Sequence, residues 1–308
     1  MFVALAGGIG AARFLEGLVR ALPANQVTII GNVGDDVEIH GLHVSPDLDI
    51  VTYTLAGLVD PTKGWGFRRD TFHCQKQLGQ YGFETWFNIG DRDLATHVYR
   101  TEQLHKGKSL SKVTQDLVRF FGLRIKLLPS TDDSFQTYVF TQKGRMHFEE
   151  YMVKRRTVPQ VREVNFLGAK SPKPARGVIG SIAKAKAVII SPSNPIVSIG
   201  AILAVPGIRG ALQTTKARVV GISPIIGGKT VKGPADKLMR ALGLEVSALG
   251  VAKFYSDFLD TLIIDRVDEA LAERIEALGI SAVVTNTIMR TMADKIRLAR
   301  TTVSESKR

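Results

Sequence analysis

The chain has 308 residues, 44% of them hydrophobic and 23% charged, with a formal net charge of +12. That composition belongs to a folded globular protein, long enough for one large α/β domain or a core with a smaller lobe. A single cysteine, Cys74, excludes an intramolecular disulfide and a cysteine-based zinc cluster.

The longest apolar run, residues 196–205, is interrupted by Ser198 and Gly200 and falls short of the roughly 20 residues that span a bilayer. No basic and apolar leader precedes the first strand, so a cytoplasmic protein without membrane contact is expected. The positive charge favours anionic partners. Lys and Arg are spread from Arg13 to Arg308, with neither an RNA-binding aromatic signature nor a helix-turn-helix pattern. A phosphorylated metabolite is therefore expected, and nucleic acid is not.

The first element is a short apolar strand, Phe2-Val3-Ala4-Leu5-Ala6, which stops at Gly7-Gly8-Ile9-Gly10. A helix follows, with Phe14, Leu15, Leu18, Val19 and Leu22 at three- and four-residue spacing. Strand, glycine turn and helix make a phosphate cradle: free N–H groups, the positive end of the helix dipole and glycines without Cβ admit an anion. Gly8-Ile9-Gly10-Ala11-Ala12-Arg13 opens like the dinucleotide fingerprint but carries Arg13 at the place of the third glycine.

A second strand over residues 27–30 runs into Gly31-Asn32-Val33-Gly34-Asp35-Asp36. Adjacent side chains diverge in an extended loop, so one of Asp35 and Asp36 suits Mg²⁺ and the other suits capping of the next helix. Asp47 and Asp49 precede an apolar helix within 50–58, and their alternate spacing turns one inward and leaves the other to cap. Asn88-Ile89-Gly90-Asp91-Arg92-Asp93 is a third polar cluster, which by itself also reads as a surface ion-pair group.

Ser109 caps an amphipathic helix carrying Leu110, Val113, Leu117, Val118 and Phe121. The period then changes. Residues 124–128, 135–140 and 146–153 read as short strands, and Lys170-Ser171-Pro172-Lys173-Pro174 as an extended connector. This sets a small α+β lobe at about 125–175, inserted in a core of residues 1–124 and 176–308. Strands at 187–190, 218–222, 261–264 and 282–284 alternate with helices from Pro195, over 234–242 and over 289–299. The alternation predicts an α/β fold, a mostly parallel sheet with helices on both faces.

Ligands of such sheets lie beyond the carboxyl ends of the strands. Four strands run straight into polar loops: Gly7-Gly8-Ile9-Gly10, Asn32 with Asp35-Asp36, Ser191-Pro192-Ser193-Asn194-Pro195, and Ser223-Pro224-Ile225-Ile226-Gly227-Gly228-Lys229. Gly228-Lys229-Thr230 resembles the end of a P-loop, but Ser223 replaces its first glycine and Pro224 interrupts it. His40 and His43 lack a third zinc ligand, and His97, His105 and His147 read as structural or exposed. Glycine-lined anion sites beside carboxylates suit phosphoryl transfer better than acyl or hydride transfer.

The strings GGIGAARFLEGL, SPDLDIVTYTLAGLVD, WGFRRDTF, NIGDRDLATH, SPSNPIVSIGAIL, SPIIGGKTVKGPADKLM and GVAKFYSDFLD together resemble the 2-phospho-L-lactate transferase family of coenzyme F(420) biosynthesis, from the first strand to about Asp265. The resemblance implies a Rossmann-like core with a small extra lobe, a homodimer, and a Mg²⁺-dependent reaction. A 2-phospholactyl or phosphoenolpyruvyl group passes from a guanosine-diphosphate-activated donor to the ribityl hydroxyl of 7,8-didemethyl-8-hydroxy-5-deazariboflavin (Fo), and GMP leaves. It puts Fo on Asp49 and Asn88, with Asp91 and Arg92 of the same string beside them. The donor falls to Gly7, Gly8, Gly10, Asn32, Ser193, Asn194, Gly227, Gly228 and Lys229. Asp35 and Asp36 are the expected Mg²⁺ ligands and, with Asp49, the expected catalytic carboxylates.

This chain departs from the family in three places. Asn88 stands where relatives carry lysine, so it can hydrogen-bond the acceptor but brings no charge. Gly7-Gly8-Ile9-Gly10-Ala11 replaces Gly-Gly-Thr-Gly-Thr, which leaves backbone N–H groups as donors, and Asn32-Val33-Gly34-Asp35-Asp36 replaces Asn-Thr-x-Asp-Asp. A non-catalytic nucleotide-sugar-binding regulator with the same core is the alternative expectation. The two donor groups differ by reduction of one carbon–carbon bond, which the residues leave open, as they do the choice of base and metal ligand.

Overall fold

A computed structural model describes residues 1–307. Its central sheet has seven strands: β1 (Phe2–Ala6), β2 (Val27–Gly31), β3 (Lys126–Pro129), β4 (Ala187–Ile190), β5 (Arg218–Ile222), β6 (Thr261–Asp265) and β7 (Ser281–Thr285). All pairings in it are parallel. Strands β1, β2, β4 and β6 are buried at every position, with no alternation, because helices surround the sheet.

The spatial order is β3-β2-β1-β4-β5-β6-β7. The chain therefore builds outward from β1 in one direction, crosses back, and builds outward from β4 in the other. Between β1 and β4 the loops leaving the two strands diverge and open a crevice at their carboxyl ends. This is a Rossmann-like strand order.

The helices include α1 (Gly8–Ala21), α2 (Pro46–Leu55), α3 (Asp91–His105), α4 (Leu110–Phe120) and α5 (Met292–Glu305). Ser109 caps α4, its hydroxyl accepting from the Lys112 N–H. A Thr291–Asp294 capping box starts α5. Helices α1 and α5 lie against each other, with Lys295 paired to Glu16.

The lobe begins later than expected. Lys126–Pro129 pairs with Thr28–Gly31 and is the edge of the main sheet, so the separate antiparallel sheet starts at Phe135. That sheet comprises Phe135–Thr141, Gly144–His147 and Val161–Gly168, the last a strand the sequence reading did not separate. The expected strand over 146–153 is also corrected. It ends at His147, and Glu150–Lys154 forms a π-helical turn. Phe148 and Tyr151, three apart, are both buried there, a spacing that suits a helical turn rather than a strand.

No single helix among the described residues is long and apolar enough to cross a membrane. The segments Pro195–Ala204 and Ile208–Thr214 together have the apolar length, but they meet at 87° and carry core residues.

A Cβ built on Gly17 would overlap the backbone carbonyl of Lys295, so the α1–α5 crossing relies on a glycine. Gly17→Ala is expected to destabilise the protein by about 1–3 kcal/mol through overpacking, read from urea unfolding. An unchanged midpoint would show that α5 does not bear on α1 this closely.

Candidate functional site

The crevice between β1 and β4 opens into a cavity of ≈ 860 Å³. Strand-end loops line one side with Gly7, Gly8, Gly10, Ser193 and Asn194. Asp49 and Tyr53 from α2, Trp65, Phe87, Asn88, and Asp93 and His97 from α3 line the cavity as well. Asp35, Asp47 and Glu149 also line it, the last supplied by the lobe.

The glycine turn is held by a carboxylate. Gly8 N–H donates to Asp47 Oδ1 at 2.7 Å, and Asn32 Nδ2 donates to Asp47 Oδ2 at 2.9 Å. Asn32 Nδ2 also reaches the Val197 carbonyl at 3.2 Å, and Asn32 Oδ1 accepts from the Gly34 N–H at 2.8 Å. A Cβ on Gly7 would stand 2.6 Å from Asp47 Oδ2, so this turn closes only around glycine. Gly8 has φ +75 and open space where its Cβ would point, which also demands glycine. The next N–H groups, those of Ile9 and Gly10, have no intrahelical acceptor and complete the cradle.

Helix α2 starts at Pro46, well placed at a first helical position, so Asp47 and Asp49 both lie inside it. Neither caps it by a side-chain hydrogen bond, which corrects the expected division of roles. Both are buried.

Burial dominates the acid–base behaviour of the carboxylates. It pushes Asp47 up to about 6 against its hydrogen bonds from Asn32 and Gly8, and Glu149 up to about 8 with the Asp47 charge adding to the effect. Burial, then Asp47, Glu149 and Asp36, hold Asp35 well above the usual carboxylate range. Asp49 is likewise raised by burial, with Arg100 and His97 pulling against it. Five carboxylates line the cavity (Asp35, Asp47, Asp49, Asp93 and Glu149), with Arg13, Lys232 and Arg290 as the lining Lys and Arg side chains.

Several expected site residues lie elsewhere. Asn32 is fully buried and outside the lining, reaching the cavity through lining residues such as Asp47 and Val197. Asp36 is outside the lining; its Oδ2 accepts from Ser45 Oγ at 2.8 Å and lies 2.8 Å from His43 Nε2. Asp91 accepts from the N–H groups of His73 and Cys74, each at 3.0 Å, and so caps the helix His73–Gln80. The Arg92 guanidinium lies 4.7 Å from the centroid of the Phe67 ring.

Gly227 and Gly228, at φ +56 and +72, make a hairpin turn between Ile225–Ile226 and Lys229–Thr230, with Lys229 exposed. Two positive-φ residues in such a turn match the right-handed strand twist. The glycines thus serve the hairpin, and the loop lines the cavity through Ile226 and residues 230–235, Lys232 among them.

Glu149, Lys232 and residues 287–290 escaped the sequence reading. Thr285-Asn286-Thr287 follows a short strand, so the strand-end rule applied to the other loops would have found the last group. Thr287 is fixed there by Asp265, whose Oδ2 accepts from both its N–H and its hydroxyl at 2.8 and 2.9 Å. Glu149 had no local signal, because its segment reads as a strand.

The sequence model of the family described as 2-phospho-L-lactate transferase CofD matches residues 2–303. A Streptomyces griseus protein named phosphoenolpyruvate transferase is 46% identical, covering 90% of this chain and 89% of its own length. A Methanosarcina acetivorans protein named 2-phospho-L-lactate transferase is 40% identical, covering 96% and 95%. A crystal structure of a Bacillus halodurans protein superposes with a TM-score of 0.65 at 18% identity over 98% of each chain, a likeness of fold.

The buried carboxylates give stability a defined pH dependence. Glu149 keeps its proton to about 8 in the folded chain against 4.5 ordinarily, so across that window unfolding releases a proton. Stability of the metal-free protein should therefore fall as pH rises through the window. Glu149→Gln should flatten the fall, as read from thermal midpoints at stepped pH; an equal slope in both proteins would remove Glu149 as its source.

Proposed function

The chain belongs to the 2-phospho-L-lactate transferase CofD family, and on that premise we propose that it passes a phosphoenolpyruvyl group from a guanosine-diphosphate-activated donor to the terminal ribityl hydroxyl of Fo, releasing GMP. The observation that carries this reading is that one cavity is lined both by the glycine turn with Arg13, Lys232 and Arg290 and by Asp49, Asn88, Tyr53, Trp65 and Phe87. The first set suits a nucleotide diphosphate and the second a hydroxylated chain bearing a flat ring. The enolpyruvyl form is preferred over phospholactyl because relatives named phosphoenolpyruvate transferase share 46% and 45% identity with the chain, against 40% for one named 2-phospho-L-lactate transferase.

The transfer is written as direct. The ribityl oxygen attacks the phosphorus bearing the enolpyruvyl group, a new P–O bond forms, and the bond to the bridging oxygen breaks with its electrons going to GMP. Asp49 is placed to take the hydroxyl proton. The N–H groups of Ile9 and Gly10, with Lys232, would meet the donor's phosphates.

The carboxylates fit a role for Mg²⁺. Asp35 Oδ1 is buried with no hydrogen-bond partner, and Asp35 and Asp47 repel each other at the cavity wall. These two would hold the ion, with Asp47 taking the place expected of Asp36. Among the described residues no three His, Cys, Asp or Glu side chains form a ready set, which suits Mg²⁺, usually held by one or two carboxylates plus phosphate oxygens and water. Bound there, it would neutralise charge on the diphosphate.

Turnover of Fo should be seen with the enolpyruvyl donor and exceed that with the lactyl donor, and EDTA should abolish it. Faster turnover with the lactyl donor would reverse the donor assignment, and full activity in EDTA would remove the metal. Lys232→Met should weaken GDP binding by about 10–100-fold, the worth of a charged hydrogen bond, whereas Lys229→Met should leave it near that of the parent. Calorimetric titration with GDP separates the two, and the reverse ranking would return the phosphate contact to Lys229.

A further inference from the structure

Arg100 is the largest fully buried side chain among the described residues, and it stands directly behind Asp49. Its Nη2 donates to Asp49 Oδ1. Its Nη1 lies 3.3 Å from the His43 carbonyl oxygen and 3.1 Å from His97 Nδ1. A guanidinium only donates, so His97 Nδ1 accepts and the imidazole proton sits on Nε2. Nε2 faces Asp93 Oδ1 at 3.4 Å, and the Tyr53 hydroxyl donates to that same oxygen at 2.8 Å.

This arrangement has a consequence for the other oxygen of Asp49. His97 Nδ1 is 3.7 Å from Asp49 Oδ2, but with its lone pair committed to Arg100 it has no hydrogen to give. Asp49 Oδ2 is buried and has no hydrogen-bond partner, and Asp49 lines the cavity. A buried acceptor left unpaired costs free energy, which a hydroxyl donor entering the cavity recovers. The carboxylate cannot rotate to satisfy itself, because Oδ1 is clamped from behind.

We propose that Arg100 is a positioning residue, which with His97 locks the Asp49 carboxylate so that Oδ2 is presented, unpaired, to the acceptor's hydroxyl. The inference rests on the reading of the Asp49 wall as the acceptor side. Neither residue needs to touch the reacting atoms. Arg100 sets the orientation of the carboxylate, and His97 sets the orientation of Arg100. Groups that hold a working side chain in this way are worth about 10–100-fold in activity when removed.

A double-mutant cycle tests it. Arg100→Lys should lower kcat/KM for Fo by about 10–100-fold while the Kd for GDP stays put, and in an Asp49→Asn background the same change should cost little more. A structural role predicts something different: a reduced folded fraction, seen as a lower GDP stoichiometry, with equal losses in both backgrounds. Equal losses would overturn the proposal. Should Arg100→Lys fail to fold, His97→Leu against His97→Asn decides, since only the amide offers Arg100 an acceptor. His97→Asn should recover part of the turnover lost in His97→Leu; folded His97→Leu with the parent's kcat/KM would overturn the proposal. Absence of Fo turnover in the parent protein would instead sink the acceptor reading, and this inference with it.

Discussion

The hydrogen bond from Gly8 N–H to the buried Asp47 carboxylate joins the start of α1 to the start of α2. Through Asn32 the same carboxylate reaches the end of β2 and the carbonyl of Val197 beyond β4. Four segments on both sides of the crevice thus converge on one side chain. The glycine turn closes around it, and a Cβ at Gly7 would meet its oxygen. A carboxylate at a helix N-terminus is stabilised by the dipole and the free N–H groups, so the site's own anion occupies part of the place where a phosphate would be expected.

That constraint shapes the electrostatics of the cavity. With Asp47 in the cradle, a phosphate is left the N–H groups further along α1 and must approach a wall already rich in carboxylates. Burial raises Asp35, Asp47 and Glu149 together, which shows how poorly this wall is solvated for negative charge. On the proposed reading a ligand diphosphate would bring more negative charge, which a divalent cation would join to the carboxylates. The surroundings of Asp49 are organised differently. There Arg100, fully buried, pairs with Asp49 and also reaches the His43 carbonyl and His97 Nδ1.

Motifs that look chemical in the sequence turn out to divide between chemistry and fastening. Asn88-Ile89-Gly90-Asp91-Arg92-Asp93 contributes Asn88 and Asp93 to the cavity, while Asp91 caps the helix His73–Gln80. The N–H groups of Arg92 and Asp93 are themselves capped by Asp70, at 2.9 and 3.2 Å. Gly227-Gly228-Lys229 turns a hairpin, and Lys232 three residues on reaches the cavity. Residue type and spacing mark such strings as unusual, but whether a carboxylate meets a ligand or a helix end depends on which neighbours the fold supplies.

The parts legible in the sequence were those governed by local rules. Continuous apolar runs beside Gly, Pro and polar clusters marked the parallel strands and their loaded carboxyl ends, because strands buried on both faces need apolar residues throughout and turns need special backbone conformations. Gly7 to Gly10, Ser193, Asn194 and Asp35 reached the cavity from such loops, and Asp49 and Asn88, which the family resemblance supplied, line it too. Tertiary structure alone decided the rest. Pairing with β2 drew residues 126–129 out of the lobe, and packing of Phe148 and Tyr151 turned an apparent strand into the helical turn beside Glu149. The roles of Asp47 and Arg100 rest on partners 39 and 51 residues away. Long-range burial and hydrogen bonding set those roles, and neither is written in the spacing of neighbouring residues.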